Sequence, residues 1–228
     1  MDRGSGRLDA RHFRAGGAAV GIRHPPQPDP GGDFRRAERC DRVSALVFLA
    51  PGFEEIEAIT VIDILRRAEI ETVVAGLTTN PIVASRQTRH LADVHLADVD
   101  ASRQFEIAVL PGGVDGAKNL SASVLVRDWL FRQRERGQWV AALCAAPTVL
   151  QAHGWLGAET KVMAHPSVQA SFSSAQLQPD RRVVVDGKLI TSLAAGSAME
   201  FAFEIVRQLR GPEVAAKVNQ GVCAALPS

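Results

Sequence analysis

Residues 141–150 read AALCAAPTVL. An apolar run enters a cysteine and leaves it into a proline-led helical pattern with no loop between. Pro147 suits the first turn of a helix, where a missing N–H costs nothing, so the strand reads as ending at Cys144. Such direct strand-to-helix junctions, at the carboxyl ends of strands, are where open α/β sheets carry their sites. The thiol then lies near a helix N-terminus, a position that favours a thiolate. Ala142 and Ala146 bracket it at minus two and plus two, the small-x-nucleophile-x-small spacing that lets strand and helix approach closely at a nucleophile elbow. A lone cysteine is more commonly an inert, buried group; its place at the junction is what sets Cys144 apart.

Working outward, short β-like runs alternate with helical patterns. The strands expected are residues 44–49 (SALVFL), 70–76 (IETVVAG), 105–110 (FEIAVL) and 138–143 (QWVAAL), with a hairpin in 182–193 split by Asp186-Gly187. Helices are expected over 53–68, 122–136, 147–153, 197–209 and 212–219. This alternation implies an α/β fold, a mostly parallel sheet covered by helices on both faces, in a single domain over residues 44–228. Residues 1–43 are different. Rich in Gly, Pro and Arg, they hold HPPQPDPGGD at 24–33 and almost no aliphatic periodicity, so they are expected to be a disordered extension. They lack the apolar stretch of a secretory signal, and their acids argue against a transit peptide; a true start at or near Val43 is one expectation.

The 228 residues are 46% hydrophobic and 22% charged with a net charge of +1, a balance that points to neither nucleic acid nor membrane as a partner. No apolar run approaches the roughly 18 residues of a spanning helix. Cys40, Cys144 and Cys223 form no C-x-x-C pair, so neither a disulfide framework nor a metal site is expected, and a reducing cytoplasm fits.

Two further junctions carry candidate chemistry. In PGFEEIE (51–57), Glu54 and Glu55 suit the positive end of a helix dipole. Glu57 falls on the helix face of Val61, Ile64 and Ala68, where a carboxyl would have a raised pKa; a half-exposed helix-start acid is the equal alternative. In LPGG (110–113), Gly112 and Gly113 can turn backbone N–H groups inward as an anion-binding or oxyanion site, although most such triplets are plain turns. His165, before Pro166, lies 21 residues after Cys144 and follows a short apolar run, so it can lie beside the thiol, although a lone histidine before proline is more often a loop residue. His90, His95 and His153 read as structural or surface groups, Cys223 as incidental, and the three tryptophans as core or interface residues.

Taken together, PGFEEIEAITVIDILRRA, ASRQ (84–87), VLPGG, AALCAAPTVL, His165-Pro166 and TSLAAGSAMEFAFEIV resemble the ThiJ/PfpI superfamily, in its YajL-like and Parkinsonism-associated protein deglycase branch. The resemblance spans residues 44–226 in register. It implies a flavodoxin-like α/β/α sandwich and a homodimer without cofactor. It also implies that Cys144 is the reactive cysteine, Glu57 its hydrogen-bonding carboxyl, and Gly113 and Ala145 the N–H donors of the anion pocket, with Gly112 shaping the turn. Arg86 matches an arginine reaching the site across the dimer, and His165 a histidine that some relatives keep and others lack. A protonated Glu57 would then hold Cys144 as a thiolate of depressed pKa.

Three departures bear on function. Ala145 stands where peptidase-like relatives place histidine, which argues against peptidase chemistry. Glutamine amidotransferases would show glycine at both small elbow positions and a later His-x-Glu. Leu193-Ala194-Ala195-Gly196 replaces a Gly-Pro-Gly segment beside the pocket. The expected activity is a glyoxalase or deglycase acting on glyoxal, methylglyoxal or their early adducts on amino and thiol groups. The competing expectation is a redox-sensing, oxidation-activated chaperone using the same cysteine.

Overall fold

The computed structural model describes residues 43–226; the expectation of a disordered extension over residues 1–43 falls, apart from Val43, outside them, as does Cys40. Seven strands form the main sheet in the order β5-β2-β1-β6-β7-β9-β8. They are β1 (Ser44–Leu49), β2 (Glu71–Gly76), β5 (Val94–His95), β6 (Ile107–Leu110), β7 (Trp139–Leu143), β8 (Val183–Asp186) and β9 (Leu189–Ser192). All neighbours run parallel except β8, which pairs antiparallel with β9. A small ribbon, β3 (Ile82–Val83) with β4 (Arg89–His90), stands apart.

The continuous apolar runs follow from coverage on both faces, since a strand buried on two sides has no polar alternation. Along β1, Ala45, Val47 and Leu49 join one core cluster while Leu46 and Phe48 join the other. Helices α1 (Glu55–Arg67), α5 (Ala198–Arg210) and α6 (Pro212–Val222) contribute to the first cluster. Helices α2 (Val114–Ala122), α3 (Val124–Glu135) and α4 (Pro147–Ala152) contribute to the second. The expected flavodoxin-like sandwich is therefore present, a mostly parallel sheet between two helical layers. Trp129 and Trp139 are core residues and Trp155 is half-buried. Among the described residues no helix is long and apolar enough to cross a membrane.

Strands β3, β4 and β5 and helix α2 fall where no element was expected. Helix α2 carries few apolar residues and an internal Gly116, so its pattern is faint. That glycine is needed for close approach, because a Cβ there would lie 2.8 Å from the Phe53 Cα. The hairpin connection is Gly187-Lys188 rather than Asp186-Gly187, since Asp186 still pairs with Leu189; Gly187 takes the left-handed φ of +58°, which glycine adopts without strain. The run 161–164 before His165, not among the expected strands, makes an isolated bridge, Val162 with Leu177.

Candidate active site

The carboxyl ends of β1, β6, β7 and β9 converge on one cavity of about 400 Å³. Cys144 follows the last residue of β7 with φ of +64°, a left-handed conformation that a side chain adopts only when its surroundings impose it. Two backbone bonds impose it here. The Cys144 N–H donates to the Ser192 carbonyl at the end of β9 (2.9 Å), and the Cys144 carbonyl accepts from the His165 N–H (2.8 Å). The elbow thus lifts the thiol out of the sheet onto the cavity wall, while Ala145 and Ala146 behind it are buried in the second core cluster.

Glu57 sits in the first turn of α1 and is completely buried, so of the two sequence readings the inward-facing one holds. Its Oε2 accepts the Gly112 N–H at 2.7 Å. Its Oε1 has no partner of full hydrogen-bond geometry, and the carboxyl interacts with the Cys144 thiol. Gly112 fits because it has no side chain: a Cβ would lie 2.6 Å from Glu57 Oε2 and 2.7 Å from the Cys144 Cβ. Its N–H is thereby committed to Glu57 and not to an anion in the cavity. Gly113, at φ of +90°, turns its N–H the other way. The N–H groups of Gly113 and Ala145 both act on the Cys144 sulfur.

Burial pushes the Glu57 carboxyl up to about 7; the Cys144 and Gly112 hydrogen bonds oppose that shift and the charge of nearby Glu54 adds to it. Burial also pushes the Cys144 thiol, up to about 12, reinforced by the charge and hydrogen bond of Glu57 against the two backbone N–H groups. This corrects the expectation of a depressed thiol. The six-residue α4 offers too little helix-end field to outweigh desolvation and a neighbouring carboxylate. The pair loses its first proton near pH 7. What remains is a carboxylate beside a protonated thiol, an arrangement that suits proton transfer as the sulfur reacts rather than a standing thiolate.

The rest of the wall assembles from separate loops. Glu54 caps α1 by accepting the Glu57 N–H at 2.8 Å. Glu55 accepts from Ser85 Oγ (2.9 Å), Arg86 N (2.7 Å) and Thr88 Oγ1 (2.9 Å). Although burial opposes it, these bonds and its own backbone N–H hold Glu55 at about 2, ionised at any ordinary pH. Arg86 is thereby brought to the cavity rim with its side chain exposed. His165 and Ser167 form another part of the wall, and Ala194, Ala195 and Gly196 close a third side, whereas Leu193 is not part of the lining. Ser167 and Asp115 also line the cavity, and nothing in their local sequence pattern tells that their loops fold back onto the elbow. His90 packs edge-on to Phe53, and His153 is half-buried away from the cavity.

A strained thiol at a strand end, backed by a buried carboxyl from the first helix, places the protein in the class of α/β sandwiches organised around an elbow cysteine. The chain belongs to the DJ-1/PfpI family, which it matches over residues 43–208. It is 44% identical to the protein dj-1beta of Drosophila melanogaster over 184 residues, covering 80% of this chain and 97% of that protein. The crystal structure of that fly protein superimposes with a TM-score of 0.77 over 81% of this chain and 99% of its own. The chain is also 36% identical to the glutathione-independent glyoxalase DJR-1.2 of Caenorhabditis elegans, over 80% of this chain and 97% of the relative. The structure of oxidized Toxoplasma gondii DJ-1 matches with a TM-score of 0.76 at 34% identity, over 80% and 99% of the two chains.

Proposed function

We propose that the protein is a cofactor-free glyoxalase or deglycase that uses Cys144 as nucleophile on glyoxal, methylglyoxal and their early adducts. The observation that supports this reading best is the buried Glu57 beside a thiol held at a left-handed elbow. The likeness to a relative named as a glutathione-independent glyoxalase adds to it. With methylglyoxal, Cys144 Sγ attacks the aldehyde carbon as its proton passes to Glu57, and the new oxyanion lies toward the Gly113 and Ala145 N–H groups. Moving the hydrogen of that carbon to its neighbour, as a proton through an enediol, oxidises the first carbon to a thioester and reduces the second to an alcohol. Water then cleaves the thioester, releasing lactate and restoring the thiol. Ala145 leaves no histidine beside the cysteine for peptidase chemistry.

A homodimer is part of this reading, with Arg86 near the second site. It is supported by Ile56 and Ile59 on α1, large apolar residues that are 58% and 43% exposed. The reading as a redox sensor rests on the same donors, which would hold a sulfinate oxygen as readily as an oxyanion, and on the oxidized state of the Toxoplasma relative. Lactate formation from methylglyoxal separates the two. Saturable turnover by the wild type that is abolished in Cys144→Ala and severely reduced in Glu57→Gln supports the enzyme; equal rates in wild type and Cys144→Ala refute it.

A further inference from the structure

His165 lines the cavity with one ring nitrogen engaged and the other without a partner among the described residues, and the engaged one determines what the other can do. The Ser167 N–H donates to His165 Nδ1 at 3.2 Å, with the histidine side chain capping the short 3-10 turn at Pro166–Ser171. A backbone amide can only donate, so Nδ1 must present its lone pair. The Ser167 hydroxyl, 2.8 Å from the same nitrogen, therefore donates as well. A neutral imidazole whose Nδ1 accepts carries its proton on Nε2. Nε2 has no hydrogen-bond partner among the described residues, and the ring lines the cavity that holds Cys144. The His165 N–H bond to the Cys144 carbonyl fixes the backbone of this loop to the elbow.

We propose that Ser167 is a positioning residue that holds His165 as a fixed Nε2–H donor, and that this donor binds the second oxygen of a vicinal dicarbonyl. The inference rests on the glyoxalase reading and assigns a role within it. Gly113 and Ala145 offer N–H groups at the sulfur for the oxygen of the attacked carbon. His165 offers a separate donor from another loop for the oxygen on the adjacent carbon. Without a lone pair on Nε2 the ring takes no proton from water or from carbon, which leaves Glu57 as the base. Simple aldehydes lack the second oxygen and forfeit the His165 bond.

The ring is tested directly by long-range proton–nitrogen NMR of uniformly labelled protein without substrate at pH 8, with His165 assigned by its loss in His165→Gln. The expected spectrum shows a protonated Nε2 and an acceptor Nδ1; Ser167→Ala, which keeps the backbone N–H, retains that form, whereas Ser167→Pro, which removes both donors, admits the Nδ1–H form. A wild-type Nδ1–H tautomer, or a Ser167→Pro spectrum identical to wild type, overturns the proposal. Turnover of methylglyoxal provides the second measurement. His165→Gln keeps a donor and is expected to stay within about 5-fold of wild type in kcat/KM, whereas His165→Ala loses about 100-fold, the scale of one oxyanion-type donor. Equal losses in the two variants would mean a base and would also overturn it. If the wild type lacks turnover altogether, the glyoxalase reading and the substrate contact fall together, while the spectrum still decides how Ser167 holds the ring.

Discussion

Gly112 donates its backbone N–H to Glu57 Oε2 at 2.7 Å, and this bond determines which carboxyl oxygen can do chemistry. With Oε2 committed, Oε1 is the oxygen without a hydrogen-bond partner, and under the proposed glyoxalase reading it is the one free to take the Cys144 proton. The carboxyl is thereby oriented by the turn after β6 and desolvated by burial, and in that reading its protonation state sets the reactivity of the thiol.

Because the first proton leaves the pair near pH 7, kcat/KM for methylglyoxal is expected to rise through about pH 7 and level off above it. In Glu57→Gln the rise disappears and the plateau falls about 10²- to 10⁴-fold, the range of a positioned general base. A pH–rate profile of both proteins, followed by lactate release, checks this. A mutant profile with the same midpoint would assign the titration elsewhere.

The same carboxyl links stability to pH. Its folded pKa lies above its ordinary 4.5, at about 7, so the native state holds the proton more tightly than the unfolded chain. Wild-type stability is therefore fully present below pH 4.5 as far as this group is concerned and is lost as pH rises to 7, by roughly 3 kcal/mol. Glu55 is shifted the opposite way and acts only below about pH 4.5, outside that window. Urea unfolding at pH 5 and pH 8 should show Glu57→Gln losing about 3 kcal/mol less than wild type between the two.

Gly112→Ala tests the close approach on which the site depends. The added Cβ would sit 2.6 Å from Glu57 Oε2 and 2.7 Å from both the Cys144 Cβ and the Leu143 carbonyl, contacts no flexible side chain can relieve together. The variant should lose about 1–3 kcal/mol of stability through overpacking and lose turnover more than 10-fold through displacement of Glu57. Thermal unfolding and lactate assays read the two effects. A fully active, equally stable variant would show that Glu57 and Cys144 are not held as described.

The parts of this site that the sequence revealed are those in which local pattern and tertiary role coincide. AALCAAPTVL shows its elbow because strand, cysteine and Pro147 are contiguous, and Glu57 shows its burial because it keeps step with Val61 and Ile64 on α1. What local pattern cannot convey is how distant loops are joined. The bonds from Cys144 to Ser192 and His165 span 48 and 21 positions of chain, and Ser167 gains its meaning only once that loop is anchored. Helix α2 was obscured by Gly116, whose value lies in contact with Phe53 and not in helix propensity. The thiol's electrostatics escaped for a similar reason: helix-end stabilisation is readable from sequence order, while the opposing desolvation is a property of the packed interior.

Glu55 offers a test of how the cavity rim is built. Its carboxylate gathers Ser85, Arg86 and Thr88 through three hydrogen bonds and stays ionised because those same bonds hold it at about 2. The loop is thus fixed throughout the useful pH range, and Arg86 is presented at the rim by a neighbour rather than by its own side-chain contacts. Glu55→Ala removes the acceptor while leaving Glu57, Cys144 and the elbow bonds untouched. The expected result is a KM raised several-fold with kcat changed little, the signature of lost substrate positioning. Faster tryptic cleavage at Arg86 and Arg89 should accompany it, since the loop has lost its anchor. A fall in kcat at constant KM would instead place Glu55 in the chemical step, and unchanged kinetics with unchanged proteolysis would show that the β3–β4 ribbon alone holds the rim.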